Sequence, residues 1–296
     1  MTLSDAVRRL HGQAKSAVIA LRYRQAAIGC DPRHTTMLSR ALSRLVSVRV
    51  TVGYAVVLAV IDVTLRALGP NVRSAVVSHL STNLYNLANG NLATLVASAF
   101  VTEGHHHIYF LLPGLVCLLA LGELVWRSRR LILAFAVGHL GATLLVAVGV
   151  AVAVGSGWLP VSVAHASDVG TSYGDLAVLG ALTTVIPPRW RPAWIGWWLG
   201  MGMAMVAASG ADFTGVGHLV ALMLGMGLSR RFGSTARWTV TRAALLAVGV
   251  AFGYVLITGP SLMAMAVAGS AGALVALIAQ WVARRWRLRR PAPAHS

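Results

Sequence analysis

The chain has little charge, and very little of it is negative. Only 11% of its 296 residues are charged, and 8 Asp and Glu stand against 25 Lys and Arg. A soluble domain has about a quarter of its residues charged, whereas 57% of this chain is hydrophobic. This composition excludes a soluble globular domain and indicates a protein whose main solvent is lipid.

Cysteines are also few, since the chain contains only Cys30 and Cys117. The first lies in a basic segment and the second in an apolar one, so their positions predict neither a disulfide framework nor a zinc site. The consecutive histidines from His105 to His107 lack the spacing of metal ligands, because neighbouring residues point in different directions. We therefore expect no metal site and no cofactor.

Long apolar stretches take the place of the missing charge. Eight of them approach the length that crosses a bilayer as a helix, at about 1.5 Å per residue. They are residues 50–68, 108–125, 131–155, 169–186, 193–208, 213–228, 243–257 and 262–282. The sequence therefore predicts an all-α polytopic membrane protein with six to eight transmembrane helices.

The basic residues lie mostly between these stretches, as the positive-inside rule requires. With residues 1–49 in the cytoplasm, alternation brings 23 of the 25 Lys and Arg to that side, and only Arg66 and Arg73 lie outside. We therefore expect both termini in the cytoplasm and a location in a plasma (inner) membrane. Topology then explains the net charge of +17, and no nucleic-acid partner is expected.

Composition divides the chain into four predicted parts. They are a basic cytoplasmic leader (1–49), a six-helix membrane domain (50–230), two additional transmembrane helices (231–284) and a basic cytoplasmic tail (285–296). The leader fits either an amphipathic helix on anionic headgroups or a partly ordered basic tail. The semi-apolar segment 69–107 is expected to lie in the interface or to re-enter the membrane.

Polar side chains inside the apolar stretches are functional candidates, because burying them in lipid is costly. They are Asp62, His107, Glu123, His139, Ser172, Asp175 and His218. The predicted topology brings Ser172 and His218 to one level, about 5–8 Å below the outer interface. His139 lies nearer the cytoplasmic side and is expected to be outside that site.

A serine and a histidine at one depth can act as nucleophile and general base if the ring reaches the hydroxyl. The structural alternatives are a serine that bonds its own helix backbone and a histidine that bonds a neighbouring helix. Depth alone leaves both interpretations open.

The serine lies in a motif of small residues. Gly170 is two positions before Ser172, and Gly180 is eight positions after it. This motif resembles one in the rhomboid family of intramembrane serine proteases. In that family the serine lies in a Gly-x-Ser-Gly motif, and a further glycine follows eight residues after the serine. The resemblance spans most of residues 50–230. Tyr173 replaces the second glycine, and it either fills substrate space or supplies a hydroxyl donor.

The histidine segment is similar to the same family. His218, Ala221 and Gly225 match its His-x-x-Gly-x-x-x-Gly motif, with alanine in place of the first glycine. Small residues let two membrane helices approach closely. By this resemblance, Ala221 and Gly225 pack the helices together with Gly170 and Gly180.

A third match lies around the second apolar stretch. Residues 97–100 and His107 resemble the segment that leads into the family's His-x-x-x-Asn oxyanion pair, although Leu111 replaces the asparagine. Glu123 and residues 128–130 resemble the family's glutamate and its Gly-Ser loop.

The resemblance implies a six-helix rhomboid-like core, with the last two transmembrane helices as an addition. It also implies that Ser172 is the nucleophile, that His218 is the base, and that His107 and nearby backbone N–H groups bind the oxyanion. Asp175 lies one turn after Ser172 on the same helical face. We expect it either to orient His218 or to stay protonated and cap a neighbouring helix.

Three functions fit this pattern. The leading one is a rhomboid-like serine protease that cleaves transmembrane segments of other membrane proteins near the outer face of the bilayer. The second is a catalytically inactive relative that binds such segments and controls their folding or turnover, as the replacements Leu111, Tyr173 and Ala221 favour. The third is a small transporter or proton pathway that uses Asp62, Asp175 and His218 as relay groups, but the sequence lacks paired broken helices.

Overall fold

The computed structural model describes residues 46–102, 107–210, 212–233, 238–258 and 262–288, with only the backbone at 107–110 and 287–288. The two alternatives for the basic leader, and the prediction of a basic tail, concern residues almost wholly outside these ranges.

All regular structure in the described residues is helical. The helices are α1 (Arg49–Ala67), α2 (Pro70–Leu80), α3 (Leu84–Ala88), α4 (Thr94–Ala97), α5 (His107–Gly155), α6 (Ser172–Ala181), α7 (Arg191–Ala208), α8 (Phe213–Ser229), α9 (Val240–Thr258) and α10 (Leu262–Leu288). By length and composition, four helical stretches can cross a membrane: Arg49–Ala67, Leu111–Gly155, Val240–Thr258 and Leu262–Trp286. The predicted all-α polytopic membrane fold is confirmed.

Helix α5 consists of two arms that reverse direction at Arg127. Its 49 residues would extend about 74 Å as one straight helix, more than twice the thickness of a bilayer core. Arg127 has non-helical angles (φ 67, ψ 165), and a Cβ built on Gly122 would lie 3.1 Å from Cδ1 of Leu131. The first arm (107–126) and the second arm (128–155) therefore run side by side.

A buried carboxylate connects α1 to this reversal. Glu123 is 2% exposed and accepts hydrogen bonds from the N–H groups of Val50 and Thr51, at 3.1 and 2.9 Å. It also accepts from the hydroxyls of Thr51 and Ser128, at 2.8 and 2.7 Å. Since N–H groups in the first turn of a helix lack partners within the helix, Glu123 supplies the acceptors that α1 needs.

Asp62, near the other end of α1, forms two ion pairs. Its carboxylate lies 2.6 Å from Arg66 Nε and 3.0 Å from Arg73 Nη1. The two arginines that the sequence placed outside therefore share one buried aspartate as their ion-pair partner. This pairing gives Asp62 a structural role and removes it from a proton relay.

Helix α6 lies within the bundle, where every residue from Tyr173 to Ala181 is buried. It packs on the second arm of α5 and on α8. The sequence predicted a span over 169–186, but the helix begins at Ser172 and passes into a 3₁₀ turn at Leu182–Thr184. Because protein rather than lipid covers α6, it does not need the length of a lipid-facing span.

The two added helices pack on the same bundle. Helix α9 lies on the first arm of α5, where a Cβ on Gly114 would lie 2.6 Å from Cβ of Phe252. Helix α10 lies along α7, where a Cβ on Gly196 would overlap the carbonyl oxygen of Gly272. Small residues thus bring α10 into backbone contact with α7.

Candidate functional site

Ser172 and His218 meet where α6 begins. Ser172 is the first residue of α6 and is half-buried, and His218 lies on α8 with 7% of its surface exposed. His218 Nε2 and Ser172 Oγ are 2.9 Å apart, which is hydrogen-bond distance. The sequence predicted that Ser172 lies about one turn inside the apolar stretch 169–186. In the structure it lies at the start of the helix.

Small residues allow α6 and α8 to approach closely enough for this contact. A Cβ on Gly180 would overlap the carbonyl oxygen of Leu222, and a Cβ on Gly225 would overlap that of Ala177. Ala221, one turn before Gly225, is fully buried. The separation of the two helices is therefore set by backbone contact.

Gly170 lies in a turn, and packing of Gly170 against another helix is not seen among the described residues. No described atom lies within 4 Å of a Cβ built on it, and its φ of +130° is a conformation that other residues rarely adopt. Its N–H donates to the carbonyl oxygen of Ser98 at 2.9 Å. Gly170 therefore shapes the turn that leads into Ser172.

Tyr173 belongs to the interface between α6 and α8. It is 3% exposed, and a Cβ on Gly217 would overlap its ring. Its ring meets that of His218 edge to face, with centroids 5.5 Å apart, and its buried hydroxyl has no hydrogen-bond partner among the described residues. The ring is therefore part of the helix interface, and both predicted roles, a block over Ser172 and an oxyanion donor, stay predictions.

Asp175 does not orient His218. Its Oδ2 accepts a hydrogen bond from the Thr171 hydroxyl at 2.6 Å, while His218 Nδ1 has no hydrogen-bond partner among the described residues. Thr171 is the N-cap residue of α6. Asp175 therefore holds the start of its own helix, and the described residues form a dyad without a third member.

Hydrogen-bond donors for an oxyanion lie at the same helix start. No side chain caps α6 at Thr171, and the first N–H groups of a helix, here those of Ser172, Tyr173 and Gly174, have no partner within it. These groups carry the positive end of the helix dipole. The His107 side chain lies outside the described part of the chain, so its role as a donor stays a prediction.

The segment before Ser172 is fixed by residues of segment 69–102, which sequence reasoning did not assign to the site. The N–H of Thr82 donates to Asp168 O at 3.0 Å, and the N–H of Asp168 donates to Ser81 Oγ at 2.8 Å. With the bond from Gly170 to Ser98, both ends of residues 168–170 are held.

Ser98 is in turn held by buried polar side chains. Its Oγ lies 3.2 Å from His139 Nε2 and 2.7 Å from Thr82 Oγ1. All three residues are at most 5% exposed. The sequence signals for this cluster were the family resemblance of residues 97–100, which include Ser98, and the polar His139 in an apolar stretch. The contact between them was not predicted, and it connects His139 to the site through Ser98.

Comparison with known proteins gave one match. A family described as Rhomboid-like protein matches residues 46–236, a stretch that contains α1 to α8 and both Ser172 and His218. A search of curated proteins and a search of solved structures each found no match.

Proposed function

Because the chain belongs to the rhomboid-like protein family, we propose that it is an intramembrane serine protease that uses Ser172 and His218 as a catalytic dyad. Its substrates are transmembrane segments of other membrane proteins. The observation that carries this proposal is the distance of 2.9 Å between His218 Nε2 and Ser172 Oγ.

The geometry supports acyl transfer by covalent catalysis. His218 Nε2 accepts the hydroxyl proton as Ser172 Oγ attacks the scissile carbonyl carbon, and it then gives this proton to the leaving amine. The negative oxygen of the tetrahedral intermediate is stabilised by N–H groups of the first turn of α6. Water activated by His218 then hydrolyses the acyl ester and frees Ser172.

Cleavage occurs near one end of the substrate helix, because Ser172 lies toward one end of the bundle. Gly122, five residues before the reversal at Arg127, faces Val178 near the far end of α6. Ser172 therefore lies at the end opposite that reversal. The distribution of arginine makes the Ser172 end the outer one, with both termini in the cytoplasm and the protein in the plasma membrane.

A catalytically inactive protein that binds transmembrane segments is the second candidate function. Leu111 packs against the hydrophobic core and offers no donor at the position where the family has asparagine. Loss of one oxyanion donor typically lowers a rate by about 10²–10³-fold. Both candidate functions act on transmembrane segments within a bilayer.

Covalent labelling with a fluorophosphonate distinguishes the two candidates. We expect the purified full-length protein to label, and Ser172→Ala and His218→Ala each to abolish labelling, because the hydroxyl is activated only through the ring. Ser156→Ala is the matched control, since this exposed serine bonds only to the backbone of its own helix. No labelling of the wild-type protein, while an active rhomboid protease labels in parallel, would favour the inactive binding protein.

A further inference from the structure

The end of the bundle opposite Ser172 carries a cavity of about 620 Å³, and four of its eight lining residues are arginines. We name it the arginine pocket, and its polar and aromatic lining consists of Arg49, Trp126, Arg127, Ser128, Arg129 and Arg130. We propose that the arginine pocket binds the phosphate group of an anionic lipid headgroup.

The charge of the arginine pocket is not balanced by the described residues. The two ion pairs in the described part of the chain both involve Asp62, near the other end of α1. Glu123 is the nearest acidic residue in sequence, but it is 2% exposed and is occupied by hydrogen bonds from α1 and Ser128. Four guanidinium groups around one cavity repel one another and attract an anion.

The backbone at Arg127 points to a use for its side chain. Arg127 is the single non-glycine residue with positive φ among the described residues. Glycine adopts this conformation freely, whereas other residues are strained in it. Strain of this kind persists where a function requires the residue, and the Arg127 side chain lines the pocket.

An aromatic side chain forms one wall of the same cavity. Trp126 is 3% exposed and lines the pocket. Its ring packs at 5.2 Å from that of Phe232, over which the Arg130 guanidinium lies at 5.8 Å. The pocket thus combines a buried aromatic wall with four exposed guanidinium groups, and phosphate oxygens accept charge-assisted hydrogen bonds from such groups.

The location of the pocket favours a lipid phosphate. Helix α1 begins at Arg49 and the two arms of α5 meet at Arg127, so the apolar spans end at this level. Lipid phosphates lie where the apolar core ends, and basic pockets between helices bind anionic headgroups. A free phosphate ion offers the same chemistry, and the experiment separates these two sources.

Lipid retention by the full-length protein tests the proposal. Native mass spectrometry would compare phosphatidylglycerol with phosphatidylcholine of the same acyl chains. We expect wild-type protein to retain the anionic lipid at least about tenfold better, and Arg129→Gln with Arg130→Gln to lose about tenfold or more, given the strength of charge-assisted bonds. Arg284→Gln with Arg285→Gln removes equal charge from exposed positions on α10 and should change little.

Arg127→Gly separates binding from folding. This substitution removes one cation and relieves the backbone strain at positive φ. We therefore expect the melting temperature in neutral detergent to be unchanged or higher than that of the wild-type protein. We expect added phosphatidylglycerol to raise the melting temperature of the variant less than that of the wild-type protein. A preserved rise, or an equal loss of retention in the α10 control, would overturn the proposal. Stabilisation by inorganic phosphate without lipid retention would overturn the lipid assignment.

Discussion

At the scale of single residues, the position of Ser172 depends on a chain of hydrogen bonds that begins outside its own helix. His139 bonds Ser98, and the Ser98 carbonyl accepts from Gly170, two residues before Ser172. Among the described residues, neither Ser98 nor His139 has a hydrogen bond to the Ser172 hydroxyl or to the His218 ring. For the proposed protease, we therefore expect both to act as positioning residues.

We expect Ser98→Ala to lower the rate of fluorophosphonate labelling about tenfold, the effect of one lost buried hydrogen bond. His139 loses a partner in this variant, and the turn at Gly170 loosens. Thr64→Ala is the control, since this exposed hydroxyl bonds the Val60 carbonyl of its own helix and not another polar side chain of the described residues. A lower melting temperature with an unchanged labelling rate would contradict a positioning role.

The sequence predicted which residue types carry the chemistry, but not all of their contacts. Ser172 and His218 are identified by motif, and their contact needs only two helices that share a level. Asp175 could not be assigned from sequence, because its i+3 spacing from Ser172 fits several partners, and the one it has is Thr171. The cluster of Thr82, Ser98 and His139 depends on tertiary contacts that no local pattern predicts.

At the scale of elements, the dyad depends on how closely α6 and α8 pack. The backbone contacts at Gly180 and Gly225 leave no room for a Cβ, so any side chain there moves α8 away from α6. Most predicted boundaries lie within about three residues of the observed ones, but α6 ends at Ala181 rather than at 186, and α10 continues to Leu288 rather than ending at 282. Hydropathy does not delimit α6, because protein surrounds that helix.

We expect Gly225→Ala to reduce labelling by more than about 10²-fold, because a shift of about 1 Å in a catalytic contact has this effect. Gly227→Ala is the matched control on the same helix, since no atom of the described residues lies within 4 Å of its Cβ position. The labelling of both variants, together with their melting temperatures, checks this prediction. Equal labelling of the two variants would show that α8 tolerates the displacement.

At the scale of the whole molecule, one charge asymmetry is the basis of the proposed topology and would also explain the net charge. Eight apolar stretches predicted the membrane-embedded helices α1 and α5 to α10, with α5 counted as two arms. The position of the sharp reversal at Arg127 could be predicted from the Arg-rich gap between two apolar stretches. The positive φ of Arg127 could not be predicted, because arginine gives no local signal for this backbone conformation.

We expect both termini on the arginine-rich side of the membrane. Green fluorescent protein fused after Ser296 should therefore fluoresce, and alkaline phosphatase fused there should be inactive. Fusions after Gly90, between α3 and α4, should give the opposite result. The same result at both positions would contradict the proposed topology.

The packing of α9 on the first arm of α5 also has a consequence for the order of biosynthesis. Gly114 and Leu118 are covered by Phe252 and Gly249, which the ribosome makes more than a hundred residues later. Because chains are synthesised from the N-terminus, residues 46–236 are made before α9 is available to cover this face of α5. During this interval the face is open to an insertion factor or to another helix, with which α9 would later compete.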